Sequence, residues 1–104
     1  MNLIKVYDVT CDICQMLAGI DEQIAEDSDL FFRKSTLAEV AKNPSSHRDY
    51  IVKHHIDPSD GMVDIPLYLI TSSQGEVQAS GVVKTVEELK NLIESWQKWE
   101  SSQK

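Results

Sequence analysis

Apolar residues along this chain fall into two kinds of pattern. Leu3, Ile4, Val6, Tyr7 and Val9 put apolar groups on both faces of an extended segment, which predicts a covered strand over residues 3–9. Ile13, Leu17, Ile20 and Ile24 then recur at helical spacing with Met16 beside them, which predicts one helix from Asp12 to Glu26. Asp21, Glu22, Glu26 and Asp27 lie off that stripe and read as a solvated face, continued by Asp29 in the turn that follows. Thr10 is placed to cap the helix, and Asp12 suits its first turn through the helix dipole.

After the turn at residues 27–29, Leu30 to Lys34 reads as a short strand with Phe31 and Phe32 on opposite, covered faces. Leu37, Val40 and Ala41 suit a short helix that Asn43-Pro44 would end. Ser45 or Ser46 could cap another carrying Tyr50, Ile51 and His54, and residues 57–61 are loop chemistry. Pro66 opens Leu67-Tyr68-Leu69-Ile70, apolar on both faces, and Ser73-Gln74-Gly75 supplies a turn. Val77, Ala79 and Gly81 alternate with polar residues as in a half-buried edge strand. Thr85 to Glu88 has capping-box spacing, and behind it Val86, Leu89, Ile93 and Trp96 form a stripe that docks on a sheet, with Trp99 read as a cover beyond it. The predicted order is βα-βα-ββα.

At 104 residues the chain suits one domain, taken as 1–100 with a polar tail at 101–104. Hydrophobic and charged fractions of 41% and 26% are those of an ordinary globular domain. Ten basic against 17 acidic side chains leave a net charge of −7. That balance argues against a nucleic-acid binder or docking on an anionic membrane, and favours partners with a positive face. No secretory signal and no membrane-length apolar run is seen, so a cytoplasmic protein is expected. Small size and net charge make a monomer the expectation.

The two cysteines, Cys11 and Cys14, lie too close in sequence to staple a fold, so they serve chemistry or a metal. They sit where a strand gives way to a helix. Unpaired N–H groups in a first helical turn stabilise a thiolate, and a partner three residues on can attack a mixed disulfide made by the first. Cys11 at the turn is the expected nucleophile and Cys14 the resolving thiol. Other readings stay open. The pair could be half of a zinc site completed by His47, His54, His55 or carboxylates, or inert. The three histidines otherwise read as solvated or capping groups.

Three segments resemble the thioredoxin/glutaredoxin superfamily: the strand into Cys11-Asp12-Ile13-Cys14 and its helix, Ile65-Pro66-Leu67-Tyr68-Leu69-Ile70, and Gly75 to Gly81 with the helix from Thr85 to Trp96. The resemblance implies an α/β thioredoxin-like fold, a four-stranded mixed sheet with helices on both faces. It implies a thiol–disulfide oxidoreductase acting on disulfide-containing clients, with no bound cofactor and electrons from an external reductase or from glutathione. It also implies a cis Ile65–Pro66 bond, with Ile65 offering its backbone to the client. Thr10, Asp12, Ile13, Ile65 and Pro66 are thus the expected substrate-binding residues. Departures from the family pattern are Asp12-Ile13 between the cysteines, Thr10 for the usual tryptophan, Gly81-Val82 for a Gly-Gly pair, and Lys5 near the position of a buried acid. Acidic Asp8 and Asp12 beside Cys11 favour thioredoxin-type over glutathione-dependent use. A carboxylate at 4 Å opposes a thiolate by about 1 kcal/mol in water, against about 0.3–1 kcal/mol from the helix end. A modestly acidified Cys11 and a reducing pair are therefore expected. The reading from another class is a non-catalytic binding module on the same fold.

Overall fold

Strand alternation divides β1 (Asn2–Tyr7) into two faces, and everything else in the fold packs on one or the other. The structure is a computed structural model and describes residues 1–42, 47–56 and 61–102. After β1 come α1 (Asp12–Met16), α2 (Ile20–Asp27), β2 (Phe31–Thr36), α3 (Leu37–Lys42) and α4 (Arg48–His55). The chain closes with β3 (Leu67–Thr71), β4 (Val77–Val82) and α5 (Val86–Ser102).

The four strands form one mixed sheet in the order β2-β1-β3-β4, with β1 parallel to β2 and antiparallel to β3. Leu3, Tyr68 and Ile70 face α1, α2 and α5, where Leu17, Ala25, Leu89, Ile93 and Trp96 complete one core. Val6, Leu67 and Leu69 face α3 and α4, where Val40 and Ile51 complete the other. All five residues of β3 are buried because helices cover both sides of it, as its apolar run predicts.

The expected layers and order hold, with local differences. The helix predicted over 12–26 is two helices, because Gly19 adopts φ +83 and breaks it. Its stripe is split accordingly: Leu17 is buried, while Ile20 and Met16 are exposed. β1 ends at Tyr7, leaving Val9 exposed instead of in the strand. Phe31 is also exposed, at the start of the edge strand β2. Thr36 and Glu39 cap α3 reciprocally, a pair the pattern reading missed. The stop expected at Asn43-Pro44, the caps at Ser45 or Ser46 and the loop at 57–60 lie outside the described residues. At α5 the Thr85 hydroxyl accepts the Glu88 N–H at 3.1 Å, as predicted, but Glu88 reaches back to the Lys84 N–H. The helix runs on through Ser101 and Ser102, which the sequence reads as tail.

Candidate functional site: a bridged cysteine pair over a buried ionic pair

β1 is held between two strands, so the turn at its end is fixed in space. Cys11 N–H donates to the Asp8 carbonyl at 3.0 Å and closes that turn. Thr10 does not cap α1. Its N–H and hydroxyl both donate to Asp8 Oδ1 at 3.0 Å, and these bonds hold the Asp8 carboxyl below its ordinary pKa of 3.8. Cys11 takes the cap instead, its sulfur accepting the Cys14 N–H at 3.1 Å. The extended backbone of Cys11 turns its side chain back over the helix start. Cys11 and Cys14 are joined by a disulfide, with Cα atoms 5.2 Å apart. Cys11 is half-buried and Cys14 almost fully so, the asymmetry expected of an attacking and a resolving sulfur.

The remaining expected site residues divide. Asp12 and Thr10 are exposed beside Cys11, whereas Ile13 is half-buried against the core under α1. The Ile65–Pro66 bond is cis, and Pro66 is fully buried at the start of β3. The Ile65 carbonyl already accepts a hydrogen bond from Lys84 Nζ at 2.7 Å, a contact sequence reasoning missed.

A larger omission lies under the pair. Lys5 shares its face of β1 with Leu3 and is 4% exposed. Its ammonium stands 2.6 Å from Asp21 Oδ2, and Asp21 is 1% exposed. Asp21 is thus no part of a solvated acidic face; the break at Gly19 turns α2 so that this carboxylate points inward. Tyr68, the cross-strand neighbour of Lys5, donates its hydroxyl to Asp21 Oδ2 at 2.8 Å. Burial, and then the Asp21 charge, push the Tyr68 phenol far above its ordinary pKa, so it serves as a donor. A lysine inside an otherwise apolar strand was the available signal, because a cation there demands a buried partner. Lys5, Asp21 and Cys14 also line a cleft of about 270 Å³.

The histidines are not at this site. His55 Nε2 and the Tyr50 hydroxyl meet Ser80 Oγ at 2.8 and 2.9 Å, and His47 Nε2 meets the Gly75 carbonyl at 3.0 Å. His55 is therefore half-buried in a polar contact, where solvation was expected. Among the described residues, no three His, Cys, Asp or Glu side chains are grouped so as to hold a metal ion. No helix among them is long and apolar enough to cross a membrane.

No protein-family model matches the chain, and no curated protein matches it. Solved structures do. Thioredoxin 1 of the thermophilic eubacterium Thermosipho africanus aligns with a TM-score of 0.66 at 17% identity, over 97% of this chain and 99% of that one. The reduced thioredoxin pre-protein of Schistosoma mansoni aligns with a TM-score of 0.61 at 17% identity, over 90% of this chain and 76% of that one. At such identities the likeness establishes the fold.

Proposed function

We propose that this thioredoxin-fold chain is a thiol–disulfide oxidoreductase, a small dithiol carrier that reduces disulfides in client proteins. The observation that carries the reading is the bridged Cys11–Cys14 pair at the end of β1, with the attacking sulfur accepting a helix N–H and the resolving sulfur buried.

The reduced protein acts in two exchanges. The Cys11 thiolate attacks one sulfur of the client disulfide; that bond breaks, and the departing client thiolate takes up a proton. The Cys14 thiolate then attacks Cys11 Sγ, the bond from Cys11 to the client breaks, and the second client thiolate leaves. Two electrons pass to the client, and the Cys11–Cys14 disulfide remains. The Cys14 N–H, at 3.1 Å from Cys11 Sγ, favours negative charge on that sulfur in the attack and on its release. Ile65, beside the buried cis-proline, would meet the client backbone, with its carbonyl exchanging Lys84 for a client N–H.

A separate reductase restores the dithiol. The Asp8 carboxyl, held ionised by Thr10, puts negative charge near Cys11, which disfavours the anionic glutathione as the electron source. The test supplies oxidised protein with thioredoxin reductase and NADPH, or with glutathione and glutathione reductase, and follows reduction of a protein disulfide. Turnover with the first system is expected, lost in Cys11→Ser. Cys14→Ser should instead accumulate a covalent adduct with the client, seen as added mass. A Cys11→Ser protein as active as the unaltered one would overturn the reading.

A further inference from the structure

The two exchanges above leave the ionic pair beneath the cysteines unexplained. Burial of two charges is costly, and their attraction repays it only where every other bond is also made. Here they are made. Asp21 Oδ2 accepts from Lys5 and Tyr68, and Asp21 Oδ1 accepts the Glu22 N–H at 2.7 Å. Lys5 Nζ makes one more bond, to the carbonyl of Cys14 at 2.7 Å. In an unbroken helix that carbonyl would accept from residue 18. α1 stops at Met16, and the Ala18 N–H turns to the Gln15 carbonyl at 3.1 Å. The break before α2 therefore opens an acceptor on the resolving cysteine, and the one buried cation of β1 fills it.

We propose that Lys5 is a positioning residue for Cys14: its ammonium, fixed by Asp21, favours the Cys14 thiolate and so speeds release of the client. The proposal rests on the dithiol reading above. A cation bonded to the same residue as the sulfur stabilises a negative charge there, more strongly under burial than in water. Asp21 opposes it, but among the hydrogen bonds it reaches Cys14 only through Lys5. The other charged and titratable groups near Cys14 come from each neighbouring element. Asp8 and Tyr7 stand at the end of β1, Glu22 on α2 and Lys34 on β2, all lining the shared cleft, and Asp12 precedes Cys14 on α1. Glu22, Lys34 and Asp12 are exposed, so solvent and salt screen them. Asp8 is occupied by Thr10, and Lys34 stands 6.0 Å from the centre of the Tyr7 ring. In the step itself, the Cys14 proton leaves to water and its sulfur bonds Cys11 Sγ. The bond from Cys11 to the client breaks, and the client thiolate takes up a proton.

The test is a titration of Cys14 alone, in a Cys11→Ser background, by the ultraviolet absorbance of its thiolate. The combined change Lys5→Met, Asp21→Leu and Tyr68→Phe removes both charges and the phenol together; the Cys14 carbonyl and the Glu22 N–H lose these partners, but no charge is left buried alone. It should raise the pH at which the thiolate forms by about one unit, leaving about tenfold less thiolate at neutral pH. Asp21→Asn keeps the cation and an amide for its partners, and should lower that pH. Circular dichroism confirms that each variant is folded. A folded triple variant with an unmoved Cys14 titration would overturn the proposal; should the triple variant not fold, an unmoved titration in Asp21→Asn does so. The titration needs neither client nor reductase. Failure of turnover in the unaltered protein would therefore sink the dithiol reading separately from this one.

Discussion

At Ser80 a single hydroxyl serves two rings, Tyr50 and His55, and this small polar contact carries a pH dependence. Burial lowers the His55 pKa below its ordinary 6.5, and the charge of His54 lowers it further. The folded state thus prefers a neutral ring. Its contribution to stability is fully present above the unfolded pKa of 6.5 and is lost as pH falls through the lowered folded value. Urea denaturation as a function of pH should show stability falling below pH 6.5 in the native protein and a shallower fall in His55→Gln. Equal slopes would contradict the assignment. Lys5 gives a second residue-scale expectation. Lys5→Met alone strands the buried Asp21 carboxylate and should cost about 3–5 kcal/mol, whereas the triple apolar replacement at Lys5, Asp21 and Tyr68 leaves no unpaired charge and should cost less. Denaturant melts compare the two. A single change costing less than the triple one would contradict this account of the pair.

Among the elements, the break between α1 and α2 decides most of what the site has become. The apolar stripe of Ile13, Leu17, Ile20 and Ile24 keeps helical spacing straight through Gly19, so periodicity alone predicts one helix. What periodicity does not register is a backbone with φ +83 at one residue. That turn exposes Ile20, buries Asp21 and frees the Cys14 carbonyl for Lys5. A Cβ at Gly19 would meet nothing within 4 Å, so Gly19→Ala reads the backbone cost alone. It should destabilise by about 1–2 kcal/mol in thermal or denaturant melts, and a stabilised variant would contradict a positive φ there. Elements whose local chemistry agrees with their environment were legible: the Leu67 to Ile70 run of β3, the Gly75 turn, and the Leu89, Ile93 and Trp96 stripe of α5. The ionic pair was not, because its partners are far apart in sequence and a carboxylate off an apolar stripe reads as solvated.

Over the whole molecule, the same fold that covers β3 on both sides sets the cysteine turn after β1 and the cis-proline before β3 on two paired strands. The cysteines come from the first third of the chain and the cis-proline from the end of the middle third, and the pairing of β1 with β3 sets where each lies. Cys11 and Cys14 could be picked out from sequence because closely spaced thiols have a narrow chemistry, and Pro66 only through the resemblance of its segment to the thioredoxin/glutaredoxin superfamily. Lys84 at the Ile65 carbonyl could not, since nothing local distinguishes it from other surface lysines. Two influences oppose one another around the dithiol. Asp8 and Asp12 disfavour a thiolate at Cys11, while the Cys14 N–H and Lys5 favour sulfur anions, so the pair should be moderately reducing and no strong oxidant. The reduction potential of Cys11–Cys14, measured by equilibration with a thiol–disulfide buffer at neutral pH, tests this most directly. The account predicts a reversible two-electron couple at about −200 to −270 mV, the span of reducing carriers. A value near −120 mV, or no reversible exchange at all, would contradict it.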